Sequence, residues 1–445
     1  MTDSQGVLTA AACREQIYVA DQKTVRKVVT ASVVGTVIEW FDYSLYGAIA
    51  GLVINKLFFP ALSPGLAMLA AFATFAVGFL SRPIGGIVIA HIGDKYGRKP
   101  ALLFSILLMG TATVALGLLP TWYDIGVWAS ILLVLLRLMQ GFGAGAELAG
   151  AQTFVAEFVP PEKRGFYTSI IMSSTGVGIL CSTGAFWIVT QLPEEAFMSW
   201  GWRVPFLLSA LLFVVAIYIR KNLDETPEYA AAQEKSASKR KKEQVPLVIL
   251  LKNSWREVLL GFCSLAGHLA YGYVLSVFSL SYMANTLGMD KSHGLAALMV
   301  AVTVNTLMTP VMGRLADRFG FTAIFSFGAI FLGLFAFPFF LMLESGRLLL
   351  AILGMSMAYG IGHAATSGAQ GAFLTSLFPA RYRYSGMALS RELNSVIFAG
   401  ATPMIATALV TVGDGKPTLV ALYLVACCIL TLTAVQLARR LKRAH

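Results

Sequence analysis

The sequence has few charged residues and few cysteines, and it lacks the motifs of familiar enzymes. Only 13% of its 445 residues are Asp, Glu, Lys or Arg, whereas an average soluble protein has roughly a quarter. No HExxH, GxSxG or phosphate-binding glycine loop occurs, so metalloprotease, serine hydrolase and nucleotide chemistry are not indicated. The five cysteines form no CxxC pair, which argues against a redox or metal centre. We therefore expect that the chain is not an enzyme.

Apolar residues dominate the chain. The set AVILMFWYC makes up 57% of the residues, and the mean hydropathy is +0.72. In water, such a chain would expose large apolar patches. Apolar stretches about long enough to cross the roughly 30 Å hydrocarbon core of a bilayer lie at 28–54, 66–91, 101–119, 127–156, 167–191, 202–219, 257–283, 293–313, 322–343, 347–376, 385–411 and 418–438. The sequence therefore predicts an all-α membrane protein with twelve transmembrane helices.

The basic residues predict the orientation in the membrane. Twelve crossings place both termini on one side, and that side carries 26 of the 34 Lys and Arg residues. Three lie within spans, and five lie on the opposite side: Lys56, Arg203, Lys291, Arg347 and Lys416. By the positive-inside rule, we expect both termini to be cytoplasmic.

The net charge is +11, and the basic residues that cause it flank apolar segments. The expected partner is therefore the lipid bilayer and not nucleic acid. The N-terminal region lacks the apolar core and cleavage site of a signal peptide.

A polar segment with many basic residues divides the chain into two similar halves. Gly93 to Lys99 after the second span recurs as Ala316 to Gly320 after the eighth, 223 residues later. Parallel repeats of this kind are typical of transporters with a site between the halves. We predict an N-terminal tail (1–27), a six-helix half (28–220), a cytoplasmic linker (221–256), a second six-helix half (257–438) and a C-terminal tail (439–445).

The loop motif Gly313 to Gly320, Gly-Arg-Leu-Ala-Asp-Arg-Phe-Gly, resembles that of the major facilitator superfamily. Glu39 to Tyr43, Arg82 to Gly86 and Trp200 to Phe206 are similar to motifs of its metabolite:H+ symporter family. That family includes shikimate, 2-oxoglutarate, citrate and proline/betaine carriers. The resemblance covers essentially the whole chain. It implies a solute:H+ symporter that works by alternating access, driven by the proton gradient without a cofactor. The expected location is a bacterial inner membrane, and the expected state is a monomer.

The first span carries the candidate proton-coupling acids. Glu39, Asp42, Tyr43 and Tyr46 share one helical face, and Glu39 lies about 16 Å from the start of the span. An ionised carboxylate at that depth costs at least a few kcal/mol, so it must pair, face water or take up a proton. We predict that Glu39 or Asp42 carries the coupling proton; a structural ion pair or a helix cap is the alternative. The tyrosines either stack on a solute ring or simply pack.

Three arginines within spans favour an anionic solute. Arg137 lies about mid-membrane in the fourth span, on one face with Gln140 and Glu147, and its fork suits a carboxylate. A permanent bridge from Arg137 to Glu39 is the structural alternative, and Glu147 is a third proton-coupling candidate. With Arg82 and Arg391, these charges predict a small organic acid as solute. A zwitterion of the proline or betaine type and a proton-independent anion exchanger are the alternatives.

The second half offers polar stripes and a second copy of the gate motif. His268 and Tyr271 in the seventh span and His363 in the tenth are candidate solute ligands, although a helix histidine also serves as a hydrogen-bonded contact between helices. The superfamily resemblance implies that the loop acids latch the inner gate together with arginines and a helix N-terminus. The predicted gate residues are Asp94, Arg98, Asp317, Arg318 and Glu392. We further predict that Arg391 pairs with Glu147 when this gate is closed.

Overall fold

The structure, a computed structural model, describes residues 22–96, 98–145, 147–221, 254–378 and 383–444. The side chains of residues 90–103, which include the predicted gate residues Asp94 and Arg98, lie outside the described part. The described residues form helices joined by short turns, and they contain no β-strand. Most of the predicted tail 1–27 and linker 221–256 is not described, and the predicted boundaries of the two halves stay predictions.

Twelve helical crossings can be followed along the chain. Ten are long and apolar enough to span a membrane, and two shorter apolar helices complete the set within the described residues. They are α1 (Val25–Phe58), α2 (Pro64–Ile89), α3 (Phe104–Leu118), α4 (Val127–Thr153), α5 (Arg164–Val189), α6 (Gly201–Val214), α7 (Trp255–Thr286), α8 (Lys291–Phe319), α9 (Phe321–Glu344), α10 (Leu348–Leu377), α11 (Gly386–Val412) and α12 (Thr418–Leu441). The predicted twelve-helix architecture is confirmed.

Glycines permit two of the tight turns between helices. Gly320 (φ 93°) separates α8 from α9, and Gly346 (φ 65°) separates α9 from α10. Both glycines adopt the positive φ that side chains with a Cβ rarely adopt. These short connections make consecutive helices antiparallel neighbours. The face where α1 begins and α12 ends is called the terminal face below, and the other is called the opposite face.

The two six-helix halves, α1–α6 and α7–α12, meet along several helix pairs. Helix α5 packs extensively on α8, α2 packs on α11, and α1 contacts α7. Five π-helical turns interrupt α1, α7, α10 and α11: Ala50–Ile54, Val274–Phe278, Tyr282–Thr286, Ala358–His363 and Ser395–Gly400. A π turn inserts an extra residue and rotates the following side chains, and such turns are frequent at functional sites.

Candidate functional site

A small central cavity lies between the two halves. Its volume is about 20 Å³, which is room for about one water molecule. Trp40, Tyr43, Phe75 and Tyr273 form its aromatic walls. Hydroxyl side chains and apolar residues complete the lining: Ser44, Thr183, Ser276, Gly47, Ile179, Val277 and Leu298. The aromatic rings pack edge to face around Phe79, 5.0 Å from the Tyr43 centroid and 5.3 Å from that of Tyr273. The cavity is therefore apolar in its walls but includes several hydroxyl groups.

Arg137 is buried beside this cavity. Its side chain is fully shielded from solvent, and its Cζ lies 4.1 Å from the centroid of the Tyr46 ring and 5.1 Å from that of Tyr43. The guanidinium donates to Gln140 Oε1 and to the Phe75 carbonyl oxygen, while its Nε makes no hydrogen bond to a described residue. No carboxylate in the described part of the chain forms an ion pair with Arg137. The bridge from Arg137 to Glu39, which was the structural alternative, is thus not made in this structure.

Asp42 is a buried acid that forms no ion pair with a cation among the described residues. Its side chain is 2% exposed, and its Oδ1 makes no hydrogen bond to a described residue. Gln140 connects the two groups, because it accepts from Arg137 and donates to the Asp42 backbone oxygen at 3.2 Å and to Thr113 Oγ1 at 2.8 Å. Gln140 therefore contacts the side chain of the buried cation but only the main chain of the residue that carries the buried acid. The hydroxyl of Tyr46 hydrogen-bonds to that of Thr74.

Arg82 connects the two halves by an ionic contact. Its Nε donates to Glu392 Oε2 of α11 at 2.9 Å, and its Nη2 lies 3.5 Å from Glu39 Oε1 of α1. The Ala144 carbonyl oxygen accepts a further hydrogen bond from Arg82 at 3.2 Å. All three charged side chains are at most 6% exposed. Arg82, predicted as a solute ligand, is engaged here by two protein carboxylates, and Glu392 makes the contact between the halves that its predicted gate role requires.

The predicted polar stripes of α7 and α10 face each other and do not line the central cavity. The His268 and His363 rings are stacked, with centroids 4.2 Å apart, and His268 bonds to Thr366 and Gln370 of α10. Tyr271 points elsewhere, since its hydroxyl donates to the Leu332 carbonyl oxygen of α9. His363, Thr366 and Gln370 of α10 therefore all lie against His268 of α7 and not beside the central cavity.

Arg391 has a different partner from the predicted one. Its Nη1 lies 3.4 Å from Gln370 Oε1, and its sequence neighbour Glu392 pairs with Arg82. The predicted ion pair with Glu147 is not made in this structure. Helix periodicity placed Arg391 at a suitable depth, but the choice between neighbouring helices depends on helix rotation, which the sequence does not specify.

At the terminal face, the second copy of the loop motif joins α8 to the start of α5. The Asp317 carboxylate accepts from the backbone N–H groups of Gly165, at 2.8 Å, and Phe166, at 2.9 Å, at the start of α5. Arg314 stacks on Phe166, with its Cζ 4.4 Å from the ring centroid, and Arg318 lies against Phe319. An acid at a helix N-terminus is stabilised by the unpaired N–H groups and the helix dipole. This contact fits the predicted latch role of Asp317.

The opposite face has a larger cavity of about 500 Å³ between the ends of α1, α2, α7 and α11. Below it, Asn285 Nδ2 donates to the Gly51 carbonyl oxygen at 3.1 Å. A Cβ atom added to Gly51 would lie 2.7 Å from Ser281 Cβ, so α1 and α7 touch closely here. The layer of Gly51, Ser281 and Asn285 separates this cavity from the central one.

Sequence reasoning missed two residues that complete the site. Tyr273 forms a wall of the central cavity, and Asn305 Oδ1 lies 3.1 Å from His363 Nδ1. Gln370, which connects Arg391 to His268, lies seven residues after His363 and so shares its helical face. Nothing in the sequence singles out Tyr273 among the 15 tyrosines.

Comparison with known proteins gives consistent results. The model of the Major Facilitator Superfamily matches residues 32–403. The chain is 37% identical to the shikimate transporter of Escherichia coli, over 94% of this chain and 95% of that one. It is 35% identical to the proline/betaine transporter of Salmonella typhimurium, over 88% and 79%. A solved structure of a D-xylose-proton symporter has the same fold, with a TM-score of 0.71, 17% identity and coverage of 93% and 97%. The chain is therefore a multi-pass membrane transporter and not an enzyme, and it belongs to the Major Facilitator Superfamily.

Proposed function

We propose that this chain is a proton-coupled symporter that imports a small organic acid by alternating access. The observation that carries the proposal is the pair of Arg137 and Asp42, a buried cation without an anion and a buried acid without a cation. A solute carboxylate on Arg137 and a proton on Asp42 balance both groups. The names of the relatives, a shikimate transporter and a proton symporter among them, support this assignment.

Physical chemistry separates the roles of the acids in α1. An ionised carboxylate buried without a cation costs several kcal/mol, and it avoids this cost by taking up a proton. Asp42 meets this condition, whereas Glu39 has the guanidinium of Arg82 at 3.5 Å. We therefore assign the coupling proton to Asp42 and a structural ion pair to Glu39. A proton on Asp42 lets the central region close without burying an unpaired negative charge.

The solute reaches Arg137 when the opposite face opens. Carboxylate oxygens satisfy the unbonded Nε–H of Arg137 together with one terminal N–H of the fork. The 500 Å³ cavity is then the entrance, and the terminal face is the cytoplasmic exit. We further propose that the protein lies in the bacterial inner membrane with cytoplasmic termini and acts as a monomer, with an organic anion and H+ as its partners. Labelling of Glu194→Cys but not of Arg440→Cys by an impermeant reagent on intact cells tests this orientation.

Uptake into proteoliposomes tests the transport assignment, with shikimate, proline and glycine betaine as probes under an imposed pH gradient. Asp42→Asn cannot titrate, so it should exchange solute across the membrane but fail to accumulate it. Arg137→Lys keeps the charge and loses the fork, so uptake at low solute should fall at least tenfold. Arg347→Lys, on the exposed opposite face, is the matched control and should transport normally. Normal accumulation by Asp42→Asn would reject the proton assignment.

The aromatic walls of the central cavity favour a second candidate, a zwitterion with a quaternary ammonium group. Trp40, Tyr43, Phe75 and Tyr273 surround the cavity, and aromatic faces attract such cations. In that case glycine betaine accumulates, shikimate does not, and Tyr273→Leu selectively weakens betaine uptake. Exchange of shikimate that is insensitive to the pH gradient would instead indicate an anion exchanger.

A further inference from the structure

A second buried polar network lies in the C-terminal half, away from the central cavity. It consists of residues from α7, α10 and α11, and is called the histidine cluster: His268, His363, Thr366, Gln370 and Arg391. Thr366 and Gln370 are completely shielded from solvent, and His268 is 2% and Arg391 4% exposed. Buried polar groups need hydrogen-bond partners with matching donors and acceptors. The partners in this cluster determine where the protons are.

Arg391 determines the orientation of Gln370, and Gln370 determines the protonation of His268. A guanidinium only donates hydrogen bonds, so Gln370 presents its Oε1 to Arg391 Nη1, at 3.4 Å. The amide nitrogen of Gln370 then faces His268 Nε2, at 3.1 Å. An amide nitrogen only donates, so His268 Nε2 must be an unprotonated acceptor.

Thr366 leads to the same conclusion from the other side of the ring. Its hydroxyl donates to the His363 carbonyl oxygen at 2.9 Å, so its lone pairs remain as acceptors. His268 Nδ1 lies 2.8 Å from that oxygen, which can accept its proton. The neutral His268 ring with hydrogen on Nδ1 satisfies both contacts.

A proton on His268 Nε2 conflicts with this arrangement. The imidazolium ring has two donors and no acceptor, so the Gln370 amide must turn its oxygen toward the ring. Its nitrogen would then face Arg391, and the bond between Gln370 and Arg391 would be lost. The charged or titratable groups that act on His268 are the stacked His363, 4.2 Å away, and Arg391. Tyr359 contacts His363 edge on, 5.0 Å between centroids, and Glu392 acts on Arg391.

We propose that His268 is a second proton-binding site and that Gln370 is the positioning residue that makes its protonation and the anchoring of Arg391 mutually exclusive. Arg391 is adjacent to Glu392, which pairs with Arg82 across the halves at 2.9 Å. A proton on His268 therefore removes one of the contacts of the segment that holds this ion pair, while Ser390 and Asn394 keep their hydrogen bonds to α7. The link to transport rests on the proposed symport function, whereas the proton chemistry of the ring does not.

The test is nitrogen-15 NMR of histidine-labelled protein, because the chain has only five histidines. The His268 signals are assigned by their loss in His268→Asn. We expect the neutral ring with hydrogen on Nδ1 in the wild type at neutral pH. Gln370→Glu offers a carboxylate that accepts from both Arg391 and a protonated ring, so the pH of half-protonation of His268 should rise by about one unit or more. Gln436→Glu, whose amide contacts Ser326 and no histidine, is the matched control and should leave that pH unchanged.

A second variant keeps the test decisive if Gln370→Glu does not fold. Thr366→Val removes the acceptor for Nδ1–H but leaves the Gln370 amide nitrogen facing Nε2, so the ring should keep its hydrogen on Nδ1. Hydrogen on Nε2 in the wild type or in Thr366→Val would overturn the proposal. So would a Gln370→Glu variant whose ring titrates as in the wild type. These spectra are recorded without solute, so they test the proton site of His268 even if the proposed symport function is wrong. If transport occurs, the pH profile of exchange must shift with the titration of His268, and an unshifted profile would reject the link to the gate.

Discussion

The barriers at the two faces of this transporter are held by different kinds of contact. At the terminal face, Arg82 pairs with Glu392 and Asp317 caps the start of α5. At the opposite face, Gly51 packs against Ser281, and the uncharged side-chain amide of Asn285 donates a hydrogen bond to the Gly51 carbonyl oxygen. Ionic contacts respond to protonation, whereas close packing responds to the shape of what lies between the helices. We therefore expect the contacts of the terminal face to be the more sensitive to pH, and those of the opposite face to be the more sensitive to added volume.

The largest effect is expected when the ionic contact is broken at its centre. Arg82→Met leaves Glu39 and Glu392 buried without their common cation, which costs about 3–5 kcal/mol of stability. Uptake should fall to background, and the thermal unfolding temperature in detergent should drop. The two measurements are made on proteoliposomes and on purified protein.

A second variant shows whether the loss comes from unpaired charge. Replacing Glu392 by Gln in the Arg82→Met background removes the charge of one of the two carboxylates that Arg82 contacts, so part of the stability should return without transport. Strictly additive losses from Arg82→Met and Glu392→Gln would contradict the pairing, because interacting residues are non-additive.

The sequence predicted which charged residues lie within the spans better than it predicted which residues they contact. Apolar length and charge bias predicted twelve spans, and depth along α1 and α4 singled out Glu39, Asp42 and Arg137. Partners depend on the rotation of each helix and on the distance between helices, which side-chain spacing does not specify. Arg391 therefore contacts Gln370 and not the predicted Glu147. Tyr271 shares the predicted stripe with His268, yet its hydroxyl points to α9.

Breaking the opposite barrier needs added volume and no change of charge. In Gly51→Val the new Cβ would lie 2.7 Å from Ser281 Cβ and 3.2 Å from the Phe72 ring, so α1 and α7 cannot close. Uptake should fall at least tenfold. Spin labels at Lys56→Cys and Thr411→Cys, in a background without native cysteines, should report longer distances across the cavity.

The matched control for this change is Gly65→Val. Gly65 is exposed at the start of α2, and a Cβ added there meets nothing within 4 Å. Its uptake and label distances should match those of the wild type. Equal distances in Gly51→Val and Gly65→Val would show that packing at Gly51 does not hold this barrier.

A moderate effect is expected at the latch of the terminal face. Asp317→Asn keeps one acceptor oxygen but loses the charge that strengthens the bonds from Gly165 and Phe166. Hydrogen bonds to charged groups contribute about 1 kcal/mol more than neutral ones, so uptake should fall roughly fivefold. Asp414→Asn, at an exposed turn with φ 52° that asparagine tolerates, should transport normally. A latch variant as active as this control would mean that Arg82 and Glu392 close the terminal face alone.

The smallest effect is expected from the one ionic contact of the opposite face that the described residues show. Lys291 Nζ lies 2.9 Å from Glu194 Oε1, and the carboxylate is 69% exposed. The hydrogen bond and charge of Lys291 lower the pKa of Glu194, so the pair contributes stability at neutral pH and loses it as the pH falls through that lowered pKa. An exposed pair contributes little, so Lys291→Met should change uptake less than twofold. Its small deficit in unfolding temperature should vanish in acid and in high salt. A deficit that persists in acid would show that Lys291 acts through its packing on Phe197, 5.7 Å from Nζ to the ring centroid. The difference between the two faces would then be larger, because the opposite face would depend on packing even where Lys291 and Glu194 form an ion pair.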